Sequence, residues 1–301
     1  MVWWPQKKPP LILGVDFNAA GVNVVALRAC QKEWRVEGVG SVLLAPQVIV
    51  DYRIQDTGAL GTALQLALTG MGVKNGAVML SLPVERVIEK TILVDATLSE
   101  EELEAHMQLE AAASIPYPLT EVYRDFCILD RDIHKMEVLL VATRKENIDS
   151  SVKVLQETGL DVHSVEVHSF ALERIVNYLS SLQAMGETIA VLQCSTAITF
   201  TVIHRERAVF HREEISTSDL TSLVRRWVQL FFSTGYANTL HKIFLIGSDT
   251  TLCQTIGENL AISCSVLAPF QGMSFSSEHL LPANTSCFSL ACGLALKGVL
   301  Q

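Results

Sequence analysis

Eight histidines and seven cysteines supply groups that bind metals or attack electrophiles, but their spacing does not gather them. No CxxC pair, His-x3-His pair or Glu-x-x-His cluster occurs, so neither a zinc site nor a disulfide framework is expected, and the cysteines read as reduced core residues. No P-loop and no Gly-x-Ser-x-Gly elbow is present, which leaves P-loop and serine-hydrolase chemistry without support. Two features remain. Each half of the chain opens on a strand followed by a small turn, of a size to meet a phosphate with backbone amides. Acid is also concentrated in one segment. Between Val84 and His168 there are 18 Asp plus Glu and 8 Lys plus Arg, a balance that accounts for the whole net charge of −9. A surface of that sign disfavours nucleic acid, whose phosphates need clustered Lys and Arg.

The elements that must position these groups can be read from periodicity. Leu11 to Phe17, Gly21 to Ala29 and Trp34 to Leu44 read as an antiparallel meander, followed by a helix from Gly58 to Met71 and a strand from Ala77 to Leu82, stopped by Pro83. A strand from Arg86 to Val94 leads to Ser99-Glu-Glu-Glu102, a capping box with Leu98 and Leu103 as its staple. The helix it starts stops at Pro116-Tyr117-Pro118, where proline removes a donor and disfavours helix in the residue before it. Strands at Glu121 to Leu129 and Lys135 to Ala142, a helix near Glu146 to Thr158 and a strand at Asp161 to Val167 complete a β-α-β-β-α-β order, that of a split module inserted into a larger fold. A helix at Ser169 to Leu182 returns the chain. The second half then repeats the first: strands at Thr188 to Leu192, Ala197 to Ile203 and Ala208 to Glu214, an amphipathic helix from Leu220, strands at Ile243 to Ile246 and Ser263 to Val266 with a helix between, and a last helix from about Phe288. Two halves that begin alike, each with a phosphate-sized turn, form a layout able to close over a nucleotide.

Size and composition agree with a large globular fold. The 301 residues suffice for two domains, and 49% hydrophobic residues with a mean hydropathy of +0.32 demand a check for membrane spans. The longest uncharged runs, such as Asn259 to Ser277, are interrupted by polar residues and read as buried elements. The start, Met1 to Pro10, places its apolar residues before its positive charges, the wrong order for a signal peptide, so a cytoplasmic location is expected. Trp3, Trp4, Lys7 and Lys8 could touch a membrane interface, but with three prolines and no amphipathic helix they read as a leader giving weak attachment at most.

The segments Leu98-Ser-Glu-Glu-Glu-Leu-Glu104 through Met107-Gln-Leu-Glu110, Ile115-Pro-Tyr-Pro-Leu119, Ala142-Thr-Arg-Lys-Glu146, Phe170-Ala-Leu-Glu-Arg174 and Ala291-Cys-Gly-Leu-Ala-Leu296 are distinctive as a set. Together they resemble the actin-like type IV pilus assembly PilM family and its relatives in competence and MSHA pilus systems. The resemblance covers nearly the whole chain. It implies an α/β, actin/FtsA-like duplicated fold: residues 1–83 as the first part of subdomain 1A, 84–168 as an inserted βαββαβ subdomain 1C, 169–186 as the return helix, and 187–301 as the second domain. It also implies a protein peripheral on the cytoplasmic face of the inner membrane, gripping the cytoplasmic tail of a bitopic PilN-like protein, meeting components such as the assembly ATPase, and holding ATP with Mg²⁺ between its halves.

The residues carried over depart from that last expectation. The cofactor-binding positions are Asp16, Asn18, Ala19, Gly21 and Asn23 in the first turn, Ser195 and Thr196 in the second, and Gly247 and Ser248 at the adenine side. Asp16 is kept, but Asn18, Ala19 and Ala20 stand where the family offers serines, and Asn23 where it has lysine. Gln193-Cys194-Ser195 replaces an Asp-x-Gly whose carboxylate would organise metal-bound water. Ile215 to Asp219 replaces the long subdomain 2B, so the cleft loses its upper wall. Efficient hydrolysis is not expected, and no catalytic residue or metal ligand is assigned.

The positive-inside rule gives inner-membrane proteins basic cytoplasmic tails, and the acidic segment is an electrostatically sensible receptor for one. The expected partner-binding residues are Glu101, Glu104, Ile115, Pro116, Tyr117 and Pro118, although an acidic run such as Ser99 to Glu104 on its own is a solvated first helical turn. The leading expectation is a non-enzymatic adaptor. An ATP-dependent switch on the same fold is the alternative, and a sugar-kinase-like enzyme shares the duplication but lacks a recognisable catalytic aspartate in the second half.

Overall fold

The computed structural model describes residues 10–30, 33–195, 197–215, 219–247, 250–276, 282 and 284–298. It forms two compact units, residues 82–153 and the chain on either side of them. The chain opens with β1 (Ile12–Asn18), β2 (Gly21–Cys30), β3 (Glu33–Leu43), the short strands β4 (Ile49–Val50) and β5 (Arg53–Ile54), α1 (Thr57–Met71) and β6 (Ala77–Leu82). Then come β7 (Ile88–Asp95), α2 (Glu100–Ser114), β8 (Val122–Arg131), β9 (Lys135–Arg144) and α3 (Lys145–Glu157). The return runs through β10 (Val162–Val167), α4 (His168–Leu182), β11 (Thr188–Cys194), β12 (Ile198–His204), β13 (Arg207–Glu214), α5 (Leu220–Ser233) and β14 (Lys242–Ile246). It ends with α6 (Thr250–Leu260), β15 (Ser263–Val266), β16 (Ser274–Phe275) and α7 (Ser289–Lys297).

The larger unit holds the duplication. One sheet has the order β10-β6-β1-β2-β3-β16 and the other β13-β12-β11-β14-β15. In each, an antiparallel meander, β1-β2-β3 or β11-β12-β13, has a parallel strand, β6 or β14, beside its first member. Alternation places these strands between two apolar layers, because successive side chains leave a strand on opposite faces. Ile12, Ile189 and Val191 join α4 and α7 in a core shared by both sheets. Leu13 and Val15 pack instead with α1, and Ala190 and Leu192 with α5 and α6. Helix α7 is buried from Ser289 to Leu296, which glycines on both sides of its contacts permit: a Cβ on Gly14 of β1 would lie 1.8 Å from the Ala291 carbonyl oxygen, and one on Gly293 would lie 2.1 Å from that of Ala171.

Two expected boundaries need correction. The strand expected at Asp161 to Val167 belongs by its order to the inserted module, but β10 pairs in the large sheet beside β6, and Val154 and Leu155 of α3 already lie in the core of that sheet. The insertion is therefore β7, α2, β8, β9 and most of α3, and a β-α-β-β-α-β reading overstates it. The second actin-like domain, expected over residues 187–301, also shares a core with the first sheet. β16 pairs with β3, and α7 lies against β1 and β2, because the all-apolar face of the last helix is completed by the first sheet.

The smaller unit is an antiparallel sheet of order β7-β9-β8 with α2 on one face. Ser99 accepts from the Glu102 amide while the Glu102 carboxylate takes the Ser99 amide at 2.9 Å, so the capping box forms as expected. Leu103, Met107 and Ala111 point from α2 into a core with Val94, Val138 and Leu140.

Candidate functional site

In the larger unit, a cleft of ≈ 300 Å³ opens where the turns of the two sheets face each other. Strand β1 passes to β2 through Ala19 and Ala20, with Asn18 paired opposite Gly21. Asp16, near the end of β1, is 3% exposed. Its Oδ2 accepts from Asn18 Nδ2 at 2.8 Å and from Asn23 Nδ2 at 3.4 Å, and Ser41 Oγ donates to Asn23 Oδ1 at 2.8 Å. Asn18 Oδ1 in turn accepts from the amides of Ala20, at 2.9 Å, and Gly21, at 3.0 Å. Burial pushes the Asp16 carboxyl above its ordinary range, opposed by the charge of His168 and by the bonds from Asn18 and Asn23.

The facing turns are tied down in the same way. The Ser195 amide donates to the Ala197 carbonyl at 3.1 Å. The Gly247 amide, just beyond β14, donates to Ser286 Oγ at 3.0 Å, and that hydroxyl also lies 2.9 Å from the Gly247 carbonyl and 2.7 Å from Asn284 Oδ1. Ser286 is fully buried at the entrance to α7, so this contact pins the second sheet to the helix that packs on the first. A second link runs from the β4–β5 hairpin, where Tyr52 Oη donates to Glu213 Oε2 on β13. Asp51 and Tyr52 hold positive φ of 48° and 60°, the left-handed conformation that a two-residue hairpin turn requires.

The cleft thus gathers Asp16, Asn18, Gly21, Asn23, Ser195 and Gly247 of the expected cofactor positions. Ala20 rather than Ala19 lines it, while Thr196 and Ser248 lie outside the described residues, as do Trp3, Trp4, Lys7 and Lys8. Ser41, Asn284 and Cys287 also line it without having been expected. Ser41 is the register partner of Asn23, a signal available only once the pairing of β2 with β3 is known.

In the smaller unit, Glu101 and Glu104 are exposed on α2. Glu104 borders a groove of ≈ 460 Å³ with Met107, Gln108, Tyr123, Phe126 and Lys145. Tyr117 is 41% exposed, with the Arg144 guanidinium carbon 5.4 Å from its ring centroid, and Pro116 and Pro118 are exposed beside it. Ile115 is not available to a partner. It is 7% exposed and closes the apolar core beneath the last turn of α2, so it belongs to packing rather than to recognition.

The family model described as type IV pilus assembly protein PilM matches residues 14–220 and 216–299. Among solved structures, a PilM-PilN type IV pilus biogenesis complex is similar with a TM-score of 0.77 and 18% identity, over 96% of this chain and 98% of that one. Ethanolamine utilization protein EutJ from Carboxydothermus hydrogenoformans gives a TM-score of 0.54 at 12% identity, over 96% and 90% of the two chains. A Bacteroides thetaiotaomicron protein of unknown function with an actin-like ATPase fold gives 0.50 at 11% identity, over 87% and 93%. At these identities the likeness is one of fold, and the fold is actin-like.

Proposed function

This chain belongs to the type IV pilus assembly protein PilM family, and from that premise we propose that it serves as an adaptor of a type IV pilus or related pseudopilus machine, recruited to the inner membrane by the basic cytoplasmic tail of a PilN-like protein. The observation that carries this reading is the charge of the smaller unit, where 15 Asp and Glu stand against 8 Lys and Arg between Leu82 and Lys153. Its helix α2 turns Glu101 and Glu104 to solvent, and an exposed Tyr117 flanked by two prolines offers an aromatic contact at low entropic cost. Charges of this kind steer a basic tail and fix its orientation, while apolar contact supplies most of the holding energy. No helix among the described residues is long and apolar enough to cross a membrane, which is compatible with attachment through a partner. The reading gives the chain no catalytic step. The assembly ATPase is a further proposed contact, resting on family membership alone.

The test is co-purification of the full chain with a PilN-like membrane protein of the same cell, from detergent-solubilised membranes. Recovery of the pair, and its loss on combining Tyr117→Ala with Glu101→Lys and Glu104→Lys, is expected. An unchanged yield with that triple variant would place the contact elsewhere, and no recovery with the unaltered chain would remove the adaptor reading.

A further inference from the structure

The resemblance to actin-like proteins implies Mg-ATP between the halves, and the residues of the cleft do not fit it. A triphosphate is held by unpaired backbone amides, by cations, and by a carboxylate placed on the metal's water shell. Here the amides of Ala20 and Gly21 already donate to Asn18 Oδ1, that of Ser195 to Ala197, and that of Gly247 to Ser286. Among the described residues no Lys or Arg lines the cleft, and its single carboxylate, Asp16, is buried beneath Asn18 and Asn23. A phosphate entering the first turn would have to evict the Asn18 carboxamide. That would strip Asp16 of its shorter hydrogen bond and bring negative charge up to a buried carboxyl, with no Lys or Arg among the described lining residues to offset it.

We infer that the Asn18 carboxamide occupies the anion seat of this cleft, so that the two halves are held by the chain's own groups and the cleft is closed to nucleoside triphosphates. The carboxamide is suited to the place because one side chain does both jobs. Its oxygen has two lone pairs for the two turn amides, and its nitrogen donates to Asp16. Asn23 extends the chain of bonds to Ser41, leaving the turn with its polar groups met internally. The link between the halves then falls to Ser286 with Gly247 and to Tyr52 with Glu213 rather than to a ligand. This goes beyond the adaptor reading and does not depend on it.

Mg-ATP is titrated into the purified full chain by calorimetry and thermal melting, and compared with the variant Asn18→Ser combined with Asn23→Lys, which frees at least one turn amide and adds a cation. The unaltered chain is expected to give no saturable heat and no shift at millimolar Mg-ATP, whereas nucleotide at about 100 times its dissociation constant would raise the melting temperature by about 5 °C or more. The double variant is expected to bind at least about tenfold more tightly. If it does not fold, Asn18→Gly alone, which opens both amides, takes its place. Saturable binding by the unaltered chain overturns the inference, and so does a folded variant that remains silent. Binding of a membrane-protein tail by the same preparation would be unaffected in every case, which keeps this result separate from the adaptor reading.

Discussion

Asp16 is buried, and burial raises its carboxyl above the ordinary range against the opposing charge of His168 and the bonds from Asn18 and Asn23. With the folded value above the unfolded one, the native state binds the proton more tightly. Ionised Asp16 therefore costs stability at pH values above its folded pKa, and the cost fades as pH falls from there toward the ordinary value of 3.8. Asp16→Asn keeps an oxygen for Asn18 and Asn23 without the charge. Urea melts are expected to show the variant gaining stability over the unaltered chain as pH rises above 3.8, with the gap closing as pH falls back toward that value. A gap that stays constant with pH would mean that Asp16 is not the buried titrating group. At this scale the sequence was only partly legible. Asp16 and Asn18 announce themselves by their place at the end of a strand, but counting back from the Cys30–Glu33 pair puts Gly40 opposite Asn23. A bulge between Ala26 and Leu27 shifts the register by one residue and brings Ser41 there instead.

Elements with a strong period or a cap were readable, and very short ones were not. The capping box at Ser99 and the strand Ala77–Leu82 stand where composition puts them, whereas β4, β5 and β16 have two residues each and carry no period at all. The motif at Ala291 to Leu296 was legible as a resemblance, and the structure gives its physical reason. Gly293 lets α7 touch the backbone of α4, and Arg174 on α4 donates to the Gly293 carbonyl at 2.6 Å while gripping Glu166 of β10 through both its terminal nitrogens at 2.8 and 2.9 Å. Lys297, on the last turn of α7, lies 3.1 Å from the same carboxylate. Gly293→Ala forces these helices apart and is expected to cost about 3 kcal/mol in urea unfolding. Arg174→Ala leaves a buried Glu166 with Lys297 alone and is expected to cost a similar ~3 kcal/mol. Gly70→Ala in α1 is the control: its added Cβ meets no atom within 4 Å, and a gain of about 0.5–1 kcal/mol is expected. Equal losses at Gly293 and Gly70 would contradict the close approach.

On the scale of the whole molecule, two units divide the work. The larger keeps the duplicated actin-like frame, with each turn of its cleft satisfied from within, and the smaller carries the acid. The duplication was legible because each half repeats strand, strand, strand before its helix. The true edge of the insertion was not, since β10 follows α3 as smoothly as a module strand would, and only pairing with β6 assigns it to the large sheet. The connection from Ile215 to Asp219 is five residues long, so β13 passes to α5 with no room for a further subdomain over the cleft. Function on this account rests on charge presented by the smaller unit. The measurement that tests it most directly is fluorescence anisotropy of a labelled peptide carrying the cytoplasmic tail of the PilN-like protein, titrated with the full chain at low and high salt. The account predicts saturable binding that weakens as salt screens the acids and falls at least about tenfold in Glu101→Lys with Glu104→Lys. Absence of saturable binding, or an affinity indifferent to both salt and charge reversal, would contradict it.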